Sequence, residues 1–397
     1  MRSQEDQVWY HVDVNSAYLS WTAAYRVCIL GEDLDLRDIP SVIGGSEAER
    51  HGIVLAKSGS AKRYGIRTGE TLAEARCKCP GLVIVPPDYS LYVGCSKALV
   101  ELLKKYFPHV HQYSIDEAFC RVEGTKGLWG THTAFAHQLK EEIRRELGFT
   151  VNIGVSDCKL LAKMASEFQK PDQVHTLFTR EIERKMWPLP VSDLFWVGPA
   201  TVRKLGALGI RTIGELAVMD LELLKRHLKK QGEFIWNYAN GRDVSPFLRE
   251  LPRNKGYGNS MTTPFDVTDR ETAWQVILSL TETVCARLRA DGMEAACVGI
   301  SITDREFRHG SVQTTLISAT DTTLEIYEAA RSLFDRLWNY SPIRRMGVYT
   351  SKVSPKGHYQ YQLFDRGLHA KYSRLAAAVD EIRKRYGEDC GQRAVFV

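Results

Sequence analysis

The chain has no long apolar run. Its hydrophobic stretches fall far short of the ~20 residues that a bilayer-spanning helix needs, which excludes a helical membrane protein. Paired cysteine spacing is also missing. The nine cysteines are odd in number and scattered, and only Cys77 and Cys79 stand close together. C-x-C alone lacks the ligand pairs of a zinc site, and such a set does not read as a disulfide framework. Reduced thiols are expected. The opening "MRSQEDQVWYHVD" carries no signal-peptide core, so a cytosolic location is the default expectation. A large charge of one sign is absent too, since the net charge is only +5. That excess is local: residues 176–260 hold fourteen Lys/Arg against nine Asp/Glu, and the rest balances at thirty-nine of each. The placement of this basic stretch fits a phosphate backbone.

What is present is an ordinary globular composition. The 397 residues are 44% hydrophobic and 25% charged, enough for roughly two to four domains. "VWYHVDVN" (7–14) reads as a buried strand and "SAYLSWTAAYRVCIL" as a helix ending at Gly31. "GIVLAKSG" and "LVIVPPD" read as strands, separated by a glycine-punctuated stretch of short helices. Tyr92, Leu99, Leu103 and Tyr106 recur at helical spacing. A helix over about 132–147, a strand in "FTVNIGVSD" and a helix in "CKLLAKMASEFQK" stopped by Pro171 follow. Strands alternating with covering helices predict an α/β layer.

The next stretch, "DLFWVGPATVRKLGALGIRTIGELA", has the grammar of a helix-hairpin-helix. The turn at Gly198 and the helix N-terminus beyond it, near Thr201, can bind a phosphate through backbone N–H groups without reading bases. Arg203, Lys204 and, past a Pro/Gly/Arg-rich linker, Lys255 add positive charge. From 257 the order is β-α-β-β-α-β, a ferredoxin-like split unit. Its second helix is predicted to open on a Thr322/Glu325 capping box. A last helix aligns Leu375, Val379, Ile382 and Tyr386.

Three acids stand out. Asp13 lies in the first strand, and Asp116 and Glu117 lie in the strand-like run "HQYSIDEAF". Neighbouring strand residues point to opposite faces, so both members of the pair reach one site only where the strand ends, bends or bulges. Together the three would hold two Mg²⁺ ions for phosphoryl transfer, with Mn²⁺ as a possible substitute. Lys62 and Arg63, following a strand and opening a helix, and Lys170, before Pro171, fit a triphosphate clamp.

"HVDVNSAYLSW", "YSIDEAF", "VNIGVSDCKLLAKMASEFQKPD" and "WVGPATVRKLGALGIRTIGELA", followed by the split β-α-β unit, resemble the signature stretches of the Y-family DNA polymerases, the UmuC/DinB-type lesion-bypass class, in order and over essentially the whole chain. The resemblance implies an α+β multidomain, right-hand polymerase fold. A ferredoxin-like palm (1–16 and 83–175), small fingers (17–82) and a helical thumb with helix-hairpin-helix (176–243) are joined by a linker (244–256) to a β-α-β-β-α-β little finger (257–354). A tail (355–397) carries a C-terminal helix. It also implies Asp13, Asp116, Glu117 and the Val14 carbonyl as metal ligands, Tyr18 as the steric gate against a ribose 2′-OH, and Lys62 and Lys170 as triphosphate cations. Primer-template DNA and dNTP are the implied partners of a monomer. "QYQLF" resembles the Q-x-x-L-F peptide that docks on the sliding clamp, with Gln360, Leu363 and Phe364 as its contacts.

The chain departs from the pattern at four places. Asn15 stands where many relatives have a second Asp, Ala17 where an aromatic often precedes the gate, and Gly59 where many have a triphosphate-binding Tyr. Lys62 replaces an Arg, which loses a bidentate contact. Two other classes remain open at this stage: a non-catalytic DNA-bound adaptor with a polymerase-like body, and a nucleotidyl cyclase. Retention of all three acids argues against the first. The basic hairpin segment and the trailing unit argue against the second.

Overall fold

A computed structural model describes residues 7–48, 50, 52–123, 130–243, 254–357, 368–387, 390–391 and 393–396. The chain forms two compact units, 1–45 with 52–247 and 46–51 with 248–397.

The first unit is built around β1 (Gln7–Val14), whose alternating Val8, Tyr10, Val12 and Val14 are all buried. The helix α1 (Ala17–Cys28) follows Ser16, which is in a left-handed conformation. Ala17 and Trp21 of α1 join the core under β1, while Leu19 and Ala23 join a second core with Leu36, Ile43, Ala56 and Val85. This second region holds a three-stranded sheet of β2 (Ser41–Gly44), β3 (Val54–Lys57) and, further on, β4 (Val83–Val85), in the order β3-β2-β4. Two short helices, α2 (Gly59–Arg63) and α3 (Leu72–Lys78), lie between β3 and β4. α3 opens on a complete Thr71/Glu74 capping box.

Next come α4 (Tyr89–Tyr106), β5 (His109–Gln112), β6 (Glu117–Glu123), α5 (His132–Leu147), β7 (Val151–Ser156), α6 (Lys159–Ser166) and β8 (Val174–Thr176). The strands form a sheet in the order β5-β6-β1-β7-β8. One face buries Tyr10, Val12, Ala118, Cys120 and Ile153 against Leu99 and Leu103 of α4 and Phe135 and Leu139 of α5. The other face carries His11, Asp13 and Gly154 and meets α6. At Gly154 a Cβ would lie 1.9 Å from the Ala162 carbonyl oxygen and 2.6 Å from the Ser166 nitrogen. Only glycine lets α6 come this close to β7. A helical region completes the unit: α7 (Ile182–Lys185), α8 (Pro199–Ala207), α9 (Ile213–Val218), α10 (Leu221–Leu228) and α11 (Lys230–Ala239), around Leu205, Ile213, Leu216, Leu224 and Ile235.

The second unit contains β9 (Gly256–Val267), α12 (Arg270–Ala290), β10 (Met293–Asp304), β11 (His309–Thr320), α13 (Thr323–Leu337), β12 (Ile343–Pro355) and α14 (Leu368–Tyr386). The β-α-β-β-α-β order is as the sequence indicates. The antiparallel sheet runs β11-β10-β12-β9. Ile277, Leu280, Val284 and Leu288 of α12 and Ile326, Ala330 and Phe334 of α13 bury against it.

Several expectations are corrected. The run 111–119 is not one strand: β5 ends at Gln112 and β6 begins at Glu117, with Tyr113 to Asp116 forming the bend between them. Lys62 and Arg63 end α2 rather than open it. α6 stops at Ser166, before Lys170. Thr322 does start α13, but neither half of the box forms: its hydroxyl pairs with the Thr320 hydroxyl at 3.0 Å, and the Glu325 carboxylate is taken by Thr320 and His369. The apolar stripe of α14 is mostly uncovered, with Leu375, Ile382 and Tyr386 exposed. Residues 360–364, with the proposed clamp contacts, lie outside the described residues.

Candidate active site

The register of the central strands assembles the site. Asp13 pairs with Glu117 across β1 and β6, and with Asn152 across β1 and β7. The Val14 amide donates to the Asp116 carbonyl at 3.0 Å, pinning the bend against the end of β1. Asp116 is thus beside the other two acids along the backbone without belonging to a strand. Its carboxylate accepts from the Ser114 hydroxyl at 2.6 Å.

Each of the other carboxylates is met by a lysine. Lys170 Nζ donates to Asp13 Oδ1 at 2.9 Å and to Glu167 Oε1 at 2.9 Å. Lys163, from α6, binds Glu117 Oε2. His11 Nε2 lies 2.9 Å from the same oxygen, and His11 Nδ1 lies 2.7 Å from the Ser166 hydroxyl. His11 is completely buried. Period-2 alternation puts it on the Asp13 face of β1.

The charge states follow from these surroundings. Burial pushes the Asp13 carboxyl up to about 6, although Lys170 works in the opposite direction. Burial also opposes ionisation of Glu117, but its hydrogen bonds to His11 and Lys163 and the Lys163 charge outweigh it and hold Glu117 down at about 2. Burial lowers the His11 pKa against the pull of Glu117. For Lys170, burial disfavours the charge, yet Asp13 and Glu167 more than offset it and the pKa is raised.

Among the described residues, no group of three or more His, Cys, Asp or Glu side chains is arranged to hold a metal ion. The physical reason is visible: the ammonium groups of Lys163 and Lys170 sit on two of the acids, as near cations do on buried carboxylates. The donor set nevertheless fits a hard divalent ion. It offers carboxylate oxygens from adjoining backbone positions, and Asp13 remains short of positive charge even with its lysine.

Tyr18, near the start of α1, stacks on Tyr92 of α4 with ring centroids 4.4 Å apart and an interplanar angle of 11°. Tyr89 meets it edge-on at 6.2 Å. Burial raises the Tyr18 phenol, and Tyr89 and the Asp116 carboxylate add to the rise. Tyr92 and Tyr89 thus brace the ring on two sides, and Asp116 is the acid whose charge reaches it.

The remaining residues lie elsewhere. Lys62 and Arg63 are exposed on α2, where Arg63 donates to Ser60 Oγ at 3.1 Å. Gly198 starts α8, and the Thr201 and Val202 amides donate to its carbonyl. Arg203 and Lys204 are exposed on α8, and Lys255 is exposed in the second unit. Sequence reasoning missed His11, Lys163 and the Tyr92 platform. The signals were there: His11 stands two residues before Asp13, and Tyr89 and Tyr92 are one helical turn apart.

The fold matches a solved structure, the Y-family DNA polymerase chimera Dbh-Dpo4(243-245)-Dbh, with a TM-score of 0.72 and 19% identity. The match covers 88% of this chain and 99% of that one. The class is therefore the right-hand polymerase fold with an added little-finger unit. Family models described as the impB/mucB/samB family and the impB/mucB/samB family C-terminal domain match residues 12–167 and 254–363. The chain is 44% identical over 392 residues to a protein of Clostridium acetobutylicum named DNA polymerase IV, covering 98% of both. It is 41% identical over 366 residues to a DNA polymerase IV of Moorella thermoacetica, covering 91% of both. It is also 34% identical over 399 residues to DNA polymerase IV 2 of Bacillus subtilis, covering 98% of this chain and 94% of that one. The chain belongs to the impB/mucB/samB family of Y-family DNA polymerases.

Proposed function

We propose that this protein extends a DNA primer along a DNA template and, with its low selectivity, copies past damaged bases during DNA repair. The primer 3′-oxygen attacks the α-phosphorus of a dNTP, a new P–O bond forms, and pyrophosphate leaves with the displaced electron pair. Asp13, Asp116, Glu117 and the Val14 carbonyl would hold two divalent ions, Mg²⁺ or Mn²⁺ in its place, whose chemistry is Lewis-acid stabilisation of the attacking and leaving oxygens. Lys170, with Lys62 and Arg63, neutralises the triphosphate. Tyr18, braced by Tyr92, fills the space that a ribose 2′-OH would occupy. His11 and Lys163 keep Glu117 ionised and oriented.

In this reading residues 1–16 and 83–175 are the palm, 17–82 the fingers, 176–243 the thumb, 244–256 a linker, 257–354 the little finger and 355–397 the tail. Gly198, Thr201, Arg203, Lys204 and Lys255 bind the DNA backbone. Gln360, Leu363 and Phe364 bind a sliding clamp. No helix among the described residues is long and apolar enough to cross a membrane, and the reading places a monomer in the bacterial cytoplasm at the nucleoid. The observation that carries the proposal is the pairing of Asp13 with Glu117 across the centre of the sheet, with Asp116 pinned beside them. The test is Asp116→Ala: primer extension should fall by roughly 10³-fold or more, with primer-template affinity within about twofold of the parent by fluorescence anisotropy. Full extension by this variant refutes the metal assignment. The adaptor alternative predicts no extension by the unmodified protein either.

A further inference from the structure

Three partly buried lysines of the first unit are held by two or more oxygens each. Lys140 Nζ meets the Asp172 carbonyl at 3.1 Å, the Asp172 carboxylate at 3.2 Å and Glu141 at 3.3 Å. Lys185 meets the Thr176 carbonyl and hydroxyl, both at 2.9 Å, and Glu181 at 2.8 Å. Lys170 bridges Asp13 and Glu167. Lys163 differs. It is 7% exposed, yet among the described residues its ammonium has a single oxygen partner, Glu117 Oε2. An ammonium carries three donors. A buried ion pair is well held only when its remaining donors are satisfied too.

Aromatic faces stand where the other oxygens would be. The ring of Tyr113, in the bend between β5 and β6, has its centroid 5.4 Å from Lys163 Nζ. Phe195, in the segment ahead of α8, has its centroid 5.0 Å away. The two rings stand 6.5 Å apart at 64°, and the near-parallel ring of Tyr238 backs Phe195 at 6.4 Å. A cation against π faces is stabilised without an acceptor oxygen, and more so away from water. The carboxylate is only half committed as well. His11 and Lys163 share Glu117 Oε2, and Oε1 has no hydrogen-bond partner among the described residues.

We propose that Lys163 is an exchangeable counter-ion. It holds Glu117 while the acids carry no metal, and it yields that carboxylate to a divalent ion by withdrawing against Tyr113 and Phe195. Two cations on one carboxylate repel each other, and the rings keep the displaced ammonium stable without a return to water. The acids therefore stay gathered and charged without metal, and admit one only against a competing charge. Lys163 acts on the ion through Glu117, as a positioning residue. The inference rests on the reading of Glu117 as a metal ligand.

The test reads Mn²⁺ binding to the full chain, without DNA or nucleotide, from the loss of the free-ion electron paramagnetic resonance signal. Lys163→Met keeps an aliphatic stem and removes the competitor, so Mn²⁺ should bind at least about fivefold more tightly. A lysine that merely orients Glu117 predicts equal or weaker binding, and that result overturns the exchange. Tyr113 is 37% exposed, so Tyr113→Leu removes one π face at little cost to the core. Mn²⁺ should then bind about two- to fivefold more weakly, because the withdrawn ammonium loses more than the paired one. The same change should have no effect in the Lys163→Met background. Parent-like binding by Tyr113→Leu, or a loss that persists without the lysine, overturns the withdrawal onto the rings. Where Lys163→Met does not fold, Tyr113→Leu alone decides. Glu117→Gln separates the two readings. Mn²⁺ binding lost in that variant but unchanged by Lys163→Met removes the exchange and leaves the metal assignment. Mn²⁺ binding that survives Glu117→Gln removes the assignment and the exchange together.

Discussion

The chain uses the β-α-β-β-α-β order twice and wires it differently. In the first unit β1, β5, β6 and β7 are arranged β5-β6-β1-β7, so the first strand of the motif is central. In the second, β11-β10-β12-β9 puts the first strand at the edge. A central first strand has neighbours on both sides, and a carboxylate at its end is flanked by two more backbones. Asp13 acquires Glu117 from one neighbour and Asn152 from the other. The faces opposite the packed helices differ as well. α6 covers the first and buries charge there. In the second, Gly299, Ser301, Thr303, Gly347 and Ser260 make a small, polar surface on which Arg345 donates to Ser260 at 2.8 Å. The same linear pattern yields a charged, covered site or an open sheet depending on which strand is inserted between which.

One substitution placed in both sheets sharpens this. A Cβ at Gly154 would run into backbone atoms of α6 that cannot move aside, whereas one at Gly347 would meet Ser301 Oγ at 2.8 Å and Ser260 Cβ at 3.0 Å. Gly154→Ala should destabilise the first unit by about 3 kcal/mol or more, and Gly347→Ala the second by about 1 kcal/mol, read by denaturant unfolding. Equal losses would mean that the covered face is no tighter than the open one. Next in size is sugar selection. Tyr18→Ala removes the ring that Tyr92 braces, and discrimination between dNTP and rNTP should fall by roughly 10²-fold, measured as the ratio of kcat/KM values. In the second unit, Tyr349, whose ring occupies the space over Gly299, should leave that ratio unchanged when replaced by Ala. An unaltered ratio in the Tyr18 variant removes its gate role.

Much of this contrast could be read from the residues beforehand, for physical reasons. β1 and α5 follow from strong alternation and a clean 3.6 period, and the second unit from long, regular elements. The short strands β2, β5 and β8 carry too few residues for periodicity to register. The acidic run looked like a strand because Tyr113, Ile115 and Phe119 are strand formers. The hydrogen bonds from the Tyr113 and Ser114 amides to the Glu117 carbonyl turn it into a bend instead. The three acids were legible as residue types. Their lysine partners arrive through tertiary contacts from α6 and the segment after it, and His11 meets Glu117 only through the pairing of β1 with β6, which local sequence does not encode. The failed Thr322/Glu325 box shows the same: the local rule was satisfied, but His369 and Thr320 competed for the carboxylate.

Acidification tests the charge half of the comparison. The Asp13 pKa is raised to about 6 from its ordinary 3.8, so the folded protein binds this proton more tightly than the unfolded chain. Its contribution to stability is fully present below about pH 4 and is lost as pH rises through about 6. Above that the buried carboxylate calls for a cation, and below it protons and divalent ions compete. The Mg²⁺ concentration for half-maximal extension should therefore rise as pH falls below about 6, by up to about tenfold per unit. A Mg²⁺ requirement flat from pH 7.5 to 5.5 would detach Asp13 from the ion.

The smallest effect concerns how each unit holds a helix. α5 is fixed by Phe135, Leu139 and Ile143 in the first core. α14 leaves much of its apolar stripe exposed and is held largely by charge. Arg289 of α12 makes two hydrogen bonds to Asp380, at 2.5 and 2.9 Å, Arg383 and Arg393 converge on Glu282, and His369 binds Glu325 at 3.0 Å. Ion pairs near the surface are screened by salt and contribute little each, whereas apolar burial is not weakened by it. Raising NaCl from low to molar concentration should speed amide exchange across 368–386 by a few-fold and leave 132–147 unchanged. Asp380→Asn should reproduce the effect at low salt, with a loss of about 1 kcal/mol. The backbone carbonyl of Asp321 still accepts from Arg289 in that variant, which keeps the loss below that of stranding a buried charge. Salt-independent exchange in α14 would mean that its few covered residues, Val379 among them, already suffice, and the two units would then hold their helices by the same force.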